Sequence, residues 1–255
     1  MTNETQQETV FEDDFNHPKL DRNKWFPHYL PHWSNLERTA ARYHIGDSVL
    51  RLFIENGQPS WCPEFDGEIK VSGLQTGHFS EPVGSQFGQH RFREGLKVRL
   101  HQPELRLFLP LYCRLEMKAR TKLKSNNLAA LWLIGFEDQP EKSGEITVFE
   151  VFGRNVSEKN TRIGLGIKKI NDPSLHDEFS NIEIPINIED WHIYTMEWVS
   201  SGVSFFVDNQ LISRTSQSPK YPMQLMLNFY ELSVSEQQID SENAWFDIDY
   251  IKAFR

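Results

Sequence analysis

Two carboxylates stand in an otherwise apolar, β-favouring run, Gly144-Glu145-Ile146-Thr147-Val148-Phe149-Glu150-Val151-Phe152-Gly153. Burying an unpaired carboxylate is costly, so both are expected to face a solvated groove rather than the core. Simple alternation along a strand puts Glu145 and Thr147 on one face and Glu150 on the other. One extra residue, a bulge near Val148 or Phe149, returns Glu150 to the groove face. It also shortens a span that over five fully extended steps is about 16 Å. The chemistry open to two converging carboxyl groups is displacement at a glycosidic carbon, and a retaining glycosidase needs its nucleophile and acid/base roughly 5 to 5.5 Å apart. The plainer alternative is an edge strand with two solvated glutamates.

The elements that must position this pair read as strands. In residues 112–120 the apolar Cys113, Leu115, Met117 and Ala119 alternate with Arg114, Glu116, Lys118 and Arg120. Leu96, Val98 and Leu100 form a second stripe, and Leu50, Leu52 and Ile54 a third. Segments 203–207 and 210–214 flank Asp208-Asn209, residues that tolerate the positive φ of a tight hairpin turn. Further strands are expected at 129–135, 145–152, 163–168, 191–199, 224–229 and 245–254, and no long amphipathic helix competes. Short strands separated by Gly, Pro, Asn and Asp predict an all-β sandwich of two antiparallel sheets, as in a jelly roll. Segments 171–190 and 233–242 are polar and read as surface loops, because strand patterns resume beyond each. At 255 residues the chain suits one domain, residues 11–255, after a polar tail at 1–10.

Composition narrows the partners. With 27 basic and 36 acidic residues the formal charge is −9, which disfavours nucleic acid or an anionic membrane. Eighteen Phe, seven Trp and seven Tyr suffice for a core and for ring platforms besides. Cys62 and Cys113 provide neither a disulfide framework nor a cysteine zinc site, and read as two buried free thiols. Residues 1–10 lack the basic start and apolar stretch of a secretory signal, so if they are the native start a cytoplasmic role on imported oligosaccharides is open. No window of 18 apolar residues marks a membrane helix. A monomer is expected.

The glutamate motif has company. Ala129-Ala130-Leu131-Trp132-Leu133-Ile134-Gly135 precedes it, and Trp191-His192-Ile193-Tyr194-Thr195-Met196-Glu197-Trp198, Pro222-Met223-Gln224-Leu225-Met226-Leu227-Asn228 and Asp247-Ile248-Asp249-Tyr250-Ile251 follow. With Phe11-Glu12-Asp13-Asp14-Phe15, Leu20-Asp21 and Trp25 near the start, this set resembles glycoside hydrolase family 16, the family of laminarinases, lichenases, agarases and carrageenases. The resemblance implies a concanavalin A-like β-jelly roll whose concave face is a sugar-binding cleft. The family signature runs Glu, any residue, Asp, any two residues, Glu, and by position it makes Glu145 the nucleophile and Glu150 the general acid/base. The middle acid is Thr147 here. Threonine can hydrogen-bond to Glu145 but supplies no negative charge, so both glutamates are expected to titrate lower, with weaker activity or a more acidic optimum than in relatives with Asp.

Other residues are candidates on weaker grounds. Trp132 and Trp191 either support the cleft or fill the core. Trp61, between Pro59 and Pro63, and Trp33, beside Pro31 and His32, suit stacking platforms under sugar rings. His192 resembles a family position near the cleft, or is structural. Asn228 and Glu231 could reach the cleft from a neighbouring strand, and Arg91 either contacts substrate or pairs with a surface acid. Asp13, Asp14, Asp247 and Asp249 carry hard oxygen ligands, and the resemblance implies a possible structural calcium, with Asp13 and Asp249 as ligands. Calcium takes roughly six to eight oxygens, more than these acids supply alone. Asn155-Val156-Ser157 matches a glycosylation acceptor.

The reading that follows is a retaining endo-β-glycosidase acting on an uncharged polysaccharide, a β-1,3- or mixed-linkage glucan, with no cofactor required. A transglycosylase uses the same site with a sugar hydroxyl in place of water. A carbohydrate-binding protein on the same fold, its catalysis lost with the middle acid, is the alternative from another class. A purely structural sandwich leaves the two glutamates unexplained.

Overall fold

Alternating apolar residues need two sheets to bury them, and two large sheets form. The structure is a computed structural model that describes residues 8–233 and 243–255. Its strands are β1 (Thr9–Asp13), β2 (Tyr43–Gly46), β3 (Val49–Leu52), β4 (Lys70–Gln75), β5 (Gly77–His78), β6 (Leu105–Arg106), β7 (Cys113–Lys122), β8 (Asn127–Gly135), β9 (Glu145–Phe152), β10 (Thr161–Lys168), β11 (Glu178–Ile184), β12 (His192–Val199), β13 (Gly202–Val207), β14 (Gln210–Thr215), β15 (Met223–Glu231) and β16 (Trp245–Phe254). A six-stranded front sheet runs β11-β10-β9-β8-β15-β4. The eight-stranded back sheet runs β14-β13-β12-β7-β16-β3-β2, with β1 also paired to β16, and β5-β6 form a small ribbon. All pairings of both large sheets are antiparallel, and the architecture is the jelly roll the sequence predicts.

Every second residue of the central strands meets in one core. Leu131 and Leu133 of β8, Ile146 and Phe149 of β9, and Leu225 and Leu227 of β15 pack with Leu115 and Met117 of β7, Tyr194 and Met196 of β12, and Phe246 and Ile248 of β16. The residues between them on the front sheet, including Ala130, Trp132, Ile134 and Met226, face the other way into a second buried cluster. That cluster is roofed by loop residues Leu30, Trp33, Trp61, Leu96 and Val98. The hairpin at 208–209 forms as expected, Asp208 at φ 48° and Asn209 at φ 64° matching the left-handed pair of a two-residue turn.

Three expectations change. Leu96 and Val98 are buried, but in a loop rather than a strand: their alternation reports burial under the roof and not sheet pairing. Segment 171–190 is not all loop, since its middle, Glu178–Ile184, is β11, the edge strand of the front sheet, paired along its length with β10. The tail is also shorter than residues 1–10, because β1 starts at Thr9. Residues 1–7 of that tail, and 234–242 of the expected loop at 233–242, lie outside the described residues. Cys62 and Cys113 are free and buried, and burial pushes the two thiols up to about 11 and about 12. Among the described residues no helix is long and apolar enough to cross a membrane.

Candidate active site

The bulge is present and its position is Val148. Leu131 of β8 pairs with Phe149 while Trp132 pairs with Thr147, leaving Val148 without a partner. On the other side of β9, Gly164 pairs with Glu150 and Gly166 with Thr147, so two steps of β10 span three of β9. The extra residue brings Glu145, Thr147 and Glu150 to one face of the front sheet, away from the main core.

On that face the three groups and one cation are in contact. The Thr147 hydroxyl donates to Glu145 Oε1 at 2.6 Å. Lys168 Nζ lies 2.9 Å from the same Glu145 oxygen and 3.3 Å from Glu150 Oε2. The two carboxylate oxygens are therefore no farther apart than those two legs laid end to end, about 6 Å. Glu145 and Thr147 are buried and Glu150 is half-buried, so the solvated groove expected for both glutamates holds only in part for Glu150, and Glu145 is satisfied by Thr147 and Lys168 instead of water. Burial pushes the Glu150 carboxyl above its usual range, Glu145 adds to that rise, and Lys168 opposes it. Burial works against the Lys168 charge, but the two glutamates outweigh it and hold the ammonium above its usual value.

Neighbouring strands shape the surroundings. Lys168 sits opposite Glu145 on β10, and the glycines 164 and 166 opposite Glu150 and Thr147 have no side chain, which lets β11 approach closely there. A Cβ on Gly164 would stand 2.5 Å from Phe179 Cζ and 3.3 Å from Glu150 Oε1, so β11 delivers Phe179 next to the acid. The Phe179 ring lies 4.6 Å from Lys168 Nζ. Trp132 is opposite Thr147 in the ladder, its indole NH donating to Asn228 Oδ1 at 2.7 Å. His90 packs on Trp132 with ring centroids 5.2 Å apart. Burial lowers the His90 imidazole, and Lys168 reinforces this while Glu145 opposes it. The His90 NH donates at 2.8 Å to Glu137, whose carboxyl burial lifts to about 8.

The other residues singled out from sequence divide. Trp132 and Asn228 lie on the site face beside the glutamates, but at 6% and 0% exposure both are buried, with Asn228 Nδ2 unpartnered among the described residues. Arg91 lines a cavity of about 360 Å³ with Gln86, Glu137 and Asn171, just beyond the Glu145 end of β8 and β9. Its Nη2 donates to Gln86 Oε1 at 3.3 Å. Trp33 and Trp61 are not open platforms: at 0% and 1% exposure they offer no ring face to a sugar. They are the roof's core, their indole NH groups spent on Gln89 O and Asp66 Oδ2. His192 belongs to the back sheet, where its ring bonds Asp208 Oδ2 at 2.7 Å and Asn187 O at 3.0 Å and braces the hairpin turn. Trp191 lies there too, under the Arg120 guanidinium at 4.6 Å. Glu231 shares the face of Leu227 and Phe229 rather than that of Asn228, and pairs with Lys70 at 2.7 Å at the end of the sandwich.

The acids proposed for calcium do not fit it. Asp13 accepts from the Trp25 indole at 2.8 Å and from the Phe15 NH at 3.1 Å, while Asp249 is 2.5 Å from Lys118 Nζ. Asp247 is held bidentately by Arg51, and Asp14 bonds its neighbour Asn16. Among the described residues no three acidic, His or Cys side chains cluster as metal ligands. Sequence reading missed Lys168, Phe179 and His90. Phe179 had a signal, since Phe179, Asn181 and Glu183 alternate with Ser180, Ile182 and Ile184. Lys168 had none, because a lysine at a strand end is ordinary.

Two antiparallel sheets with a bulge-aligned glutamate pair on the front face define a jelly-roll protein of the glycoside hydrolase type. The profile of Glycosyl hydrolases family 16 matches residues 108–252, and the chain belongs to that family. Among solved structures, a GlcNAcα1-4Gal-releasing endo-β-galactosidase from Clostridium perfringens is similar with a TM-score of 0.85 and 28% identity, over 98% of this chain. The match covers 63% of that chain, so this protein spans less than two thirds of its length. LamAcat from Zobellia galactanivorans shares the fold with a TM-score of 0.63 at 20% identity, over 97% of each chain. The catalytic domain of an endo-1,3-β-glucanase (laminarinase) from Thermotoga petrophila RKU-1 does so with a TM-score of 0.63 at 17% identity, over 98% of each chain. Among curated protein sequences none matches the chain.

Proposed function

We propose that the protein is a retaining endo-β-glycosidase acting on an uncharged glycan, with Glu145 as nucleophile and Glu150 as general acid/base. The observation that carries this is the single ammonium bonded to both carboxylates, which limits their oxygens to about 6 Å. Retaining enzymes place the two groups roughly 5 to 5.5 Å apart, inverting ones roughly 6.5 to 9.5 Å to admit a water. Glu150, half-buried and raised above the usual carboxyl range, is suited to keep a proton for the leaving oxygen. Glu145 Oε1 is occupied by Thr147 and Lys168, which leaves Oε2 to attack the sugar carbon. As the glycosidic bond breaks, the leaving oxygen takes the Glu150 proton and Glu145 becomes a glycosyl ester. Glu150 then removes a proton from the incoming water, which displaces Glu145. An acceptor sugar hydroxyl in place of water gives transglycosylation. Trp132 and Asn228 support the site as buried neighbours of the glutamates, and Arg91 and Glu137 are candidates for sugar hydroxyls in the adjoining cavity. No step requires a cofactor.

For substrate, the likeness to the C. perfringens endo-β-galactosidase favours β-galactosidic linkages. β-1,3- and mixed-linkage glucans are the second reading, favoured by the laminarinase fold matches. The test is reducing-end release by wild type and Glu145→Gln on galactans, glycans carrying GlcNAcα1-4Gal and β-glucans. Turnover on one class, lost by on the order of 10³-fold or more in the variant, supports the assignment and names the sugar. Oligosaccharide binding with no turnover on any polymer would instead support a carbohydrate-binding protein.

A further inference from the structure

Lys168 is the one charged side chain that β10 brings to the glutamate pair, between glycines on one side and Phe179 on the other. Its ammonium is bonded at once to Glu145 Oε1 and Glu150 Oε2. We infer that Lys168 is a positioning residue whose fixed charge is matched by Glu145 in the resting site and by Glu150 in the glycosyl-enzyme. The inference rests on the assignment of Glu145 and Glu150 made above.

The charge balance follows from the reaction. Before bond breaking, Glu145 is anionic, Glu150 holds its proton and Lys168 is cationic, so the three sum to zero. In the first half-reaction the bond from Glu145 Oε2 to the sugar carbon forms, the glycosidic bond breaks, and the Glu150 proton leaves with the departing oxygen. Glu145 is now an uncharged ester and Glu150 an anion, and the sum is again zero. Water then bonds to the sugar carbon, gives its proton to Glu150 and releases Glu145 as an anion. Lys168 keeps its protons throughout and changes only the partner that balances it. In a partly buried site a neutral sum at each stage avoids the cost of an unpaired charge. With Thr147 in the motif there is no third carboxylate to share this office, and the hydroxyl supplies a hydrogen bond but no charge.

None of the other titratable groups that face the trio brings a second cation to it. From β15, Tyr230 pairs with Tyr29, and burial raises both phenols above their usual range. His90, over Trp132, is held neutral by burial. Asp66, from the roof, is engaged by the Trp61 indole. β8 presents Trp132 and β11 presents Phe179 and Asn181, none of them ionisable. The cation beside the glutamates is therefore Lys168.

The experiment is the pH dependence of kcat/KM for wild type, Lys168→Met, Lys168→Gln and Lys168→Arg, with thermal melts of each and Glu145→Gln alongside. Losing the cation disfavours both carboxylates, so in Lys168→Met and Lys168→Gln both limbs of the profile are expected to move up by roughly 1 to 3 pH units. Lys168→Arg keeps the charge and should hold the limbs within about half a unit. Folded Met or Gln variants with unmoved limbs would overturn the inference, because a merely structural lysine alters stability but not the titration of the pair. Should Lys168→Met fail to fold, the more polar Lys168→Gln decides. Turnover retained in Glu145→Gln would instead overturn the glutamate assignment itself, whatever the lysine variants do.

Discussion

Replacing Thr147 by Asp restores the middle acid of the family motif and tests how charge is distributed in this site. Thr147 is fully buried and its hydroxyl donates to Glu145 Oε1 at 2.6 Å. An ionised carboxylate in its place would sit about 4 Å from Glu145, a repulsion of about 4 kcal/mol at an effective dielectric constant near 20. That corresponds to roughly three pK units if nothing compensates. Lys168, 2.9 Å from Glu145, absorbs part of it. The remaining shift, on the order of one unit, is expected to appear as a higher pKa for the coupled carboxyl groups. In Thr147→Asp the alkaline limb of kcat/KM should therefore move up by about one pH unit, with a gain in turnover above neutrality. The assay is reducing-end release across about pH 4 to 10 on the best glycan of the panel, beside Thr147→Val. The Val variant removes a hydrogen bond to a charged group, worth about 1.5 to 3 kcal/mol, and should lose roughly ten- to a hundredfold without raising the alkaline limb. An alkaline limb unchanged in Thr147→Asp would refute the reasoning that this threonine leaves the pair more acidic than an aspartate would.

Two further outcomes follow from the scaffold. His78 is buried with Nε2 3.1 Å from His32 Nδ1, and burial lowers its imidazole to about 4, below the 6.5 of an exposed ring. The unfolded chain binds that proton first, so the His78 contribution is fully present above about pH 6.5 and fades by about 3 kcal/mol as pH falls to about 4. Urea midpoints should show a shallower decline in His78→Gln than in wild type, and parallel declines would contradict the assignment. At Gly166, φ is 136° and an added Cβ would stand 2.1 Å from the Glu178 carbonyl oxygen. Gly166→Ala should cost about 1 to 3 kcal/mol and displace β11, lowering both the melting temperature and turnover. A melting temperature equal to wild type would show that β11 accommodates the methyl group.

Much of this protein was legible because strands announce themselves locally. The alternation at 113–119 needs no partner to be seen, since a half-buried strand must place apolar residues at every second position. The hairpin at Asp208-Asn209 is likewise a local matter of positive φ. The bulge was legible only as one of two readings, near Val148 or Phe149, because an edge strand with two solvated glutamates fits the same run; the pairing of β8 with β9 decided for Val148. Local signals failed where one pattern has two physical causes. Leu96 and Val98 alternate because a roof loop buries them, and Trp33 and Trp61, flanked by prolines, are roof core rather than exposed rings.

What the sequence by itself determined is the sandwich, the face that carries Glu145, Thr147 and Glu150, and the chemistry two such groups permit. The tertiary structure alone decided which groups from distant strands meet them. Sheet order put β10 against β9, and so Lys168 between the glutamates, and it turned the middle of a polar segment into the strand that brings Phe179 to the acid. It also sent His192 to the back sheet and Glu231 to the wrong face of β15. Alternation sets which way a side chain points within its own strand, whereas its neighbours depend on long-range pairing that no short stretch of chain encodes.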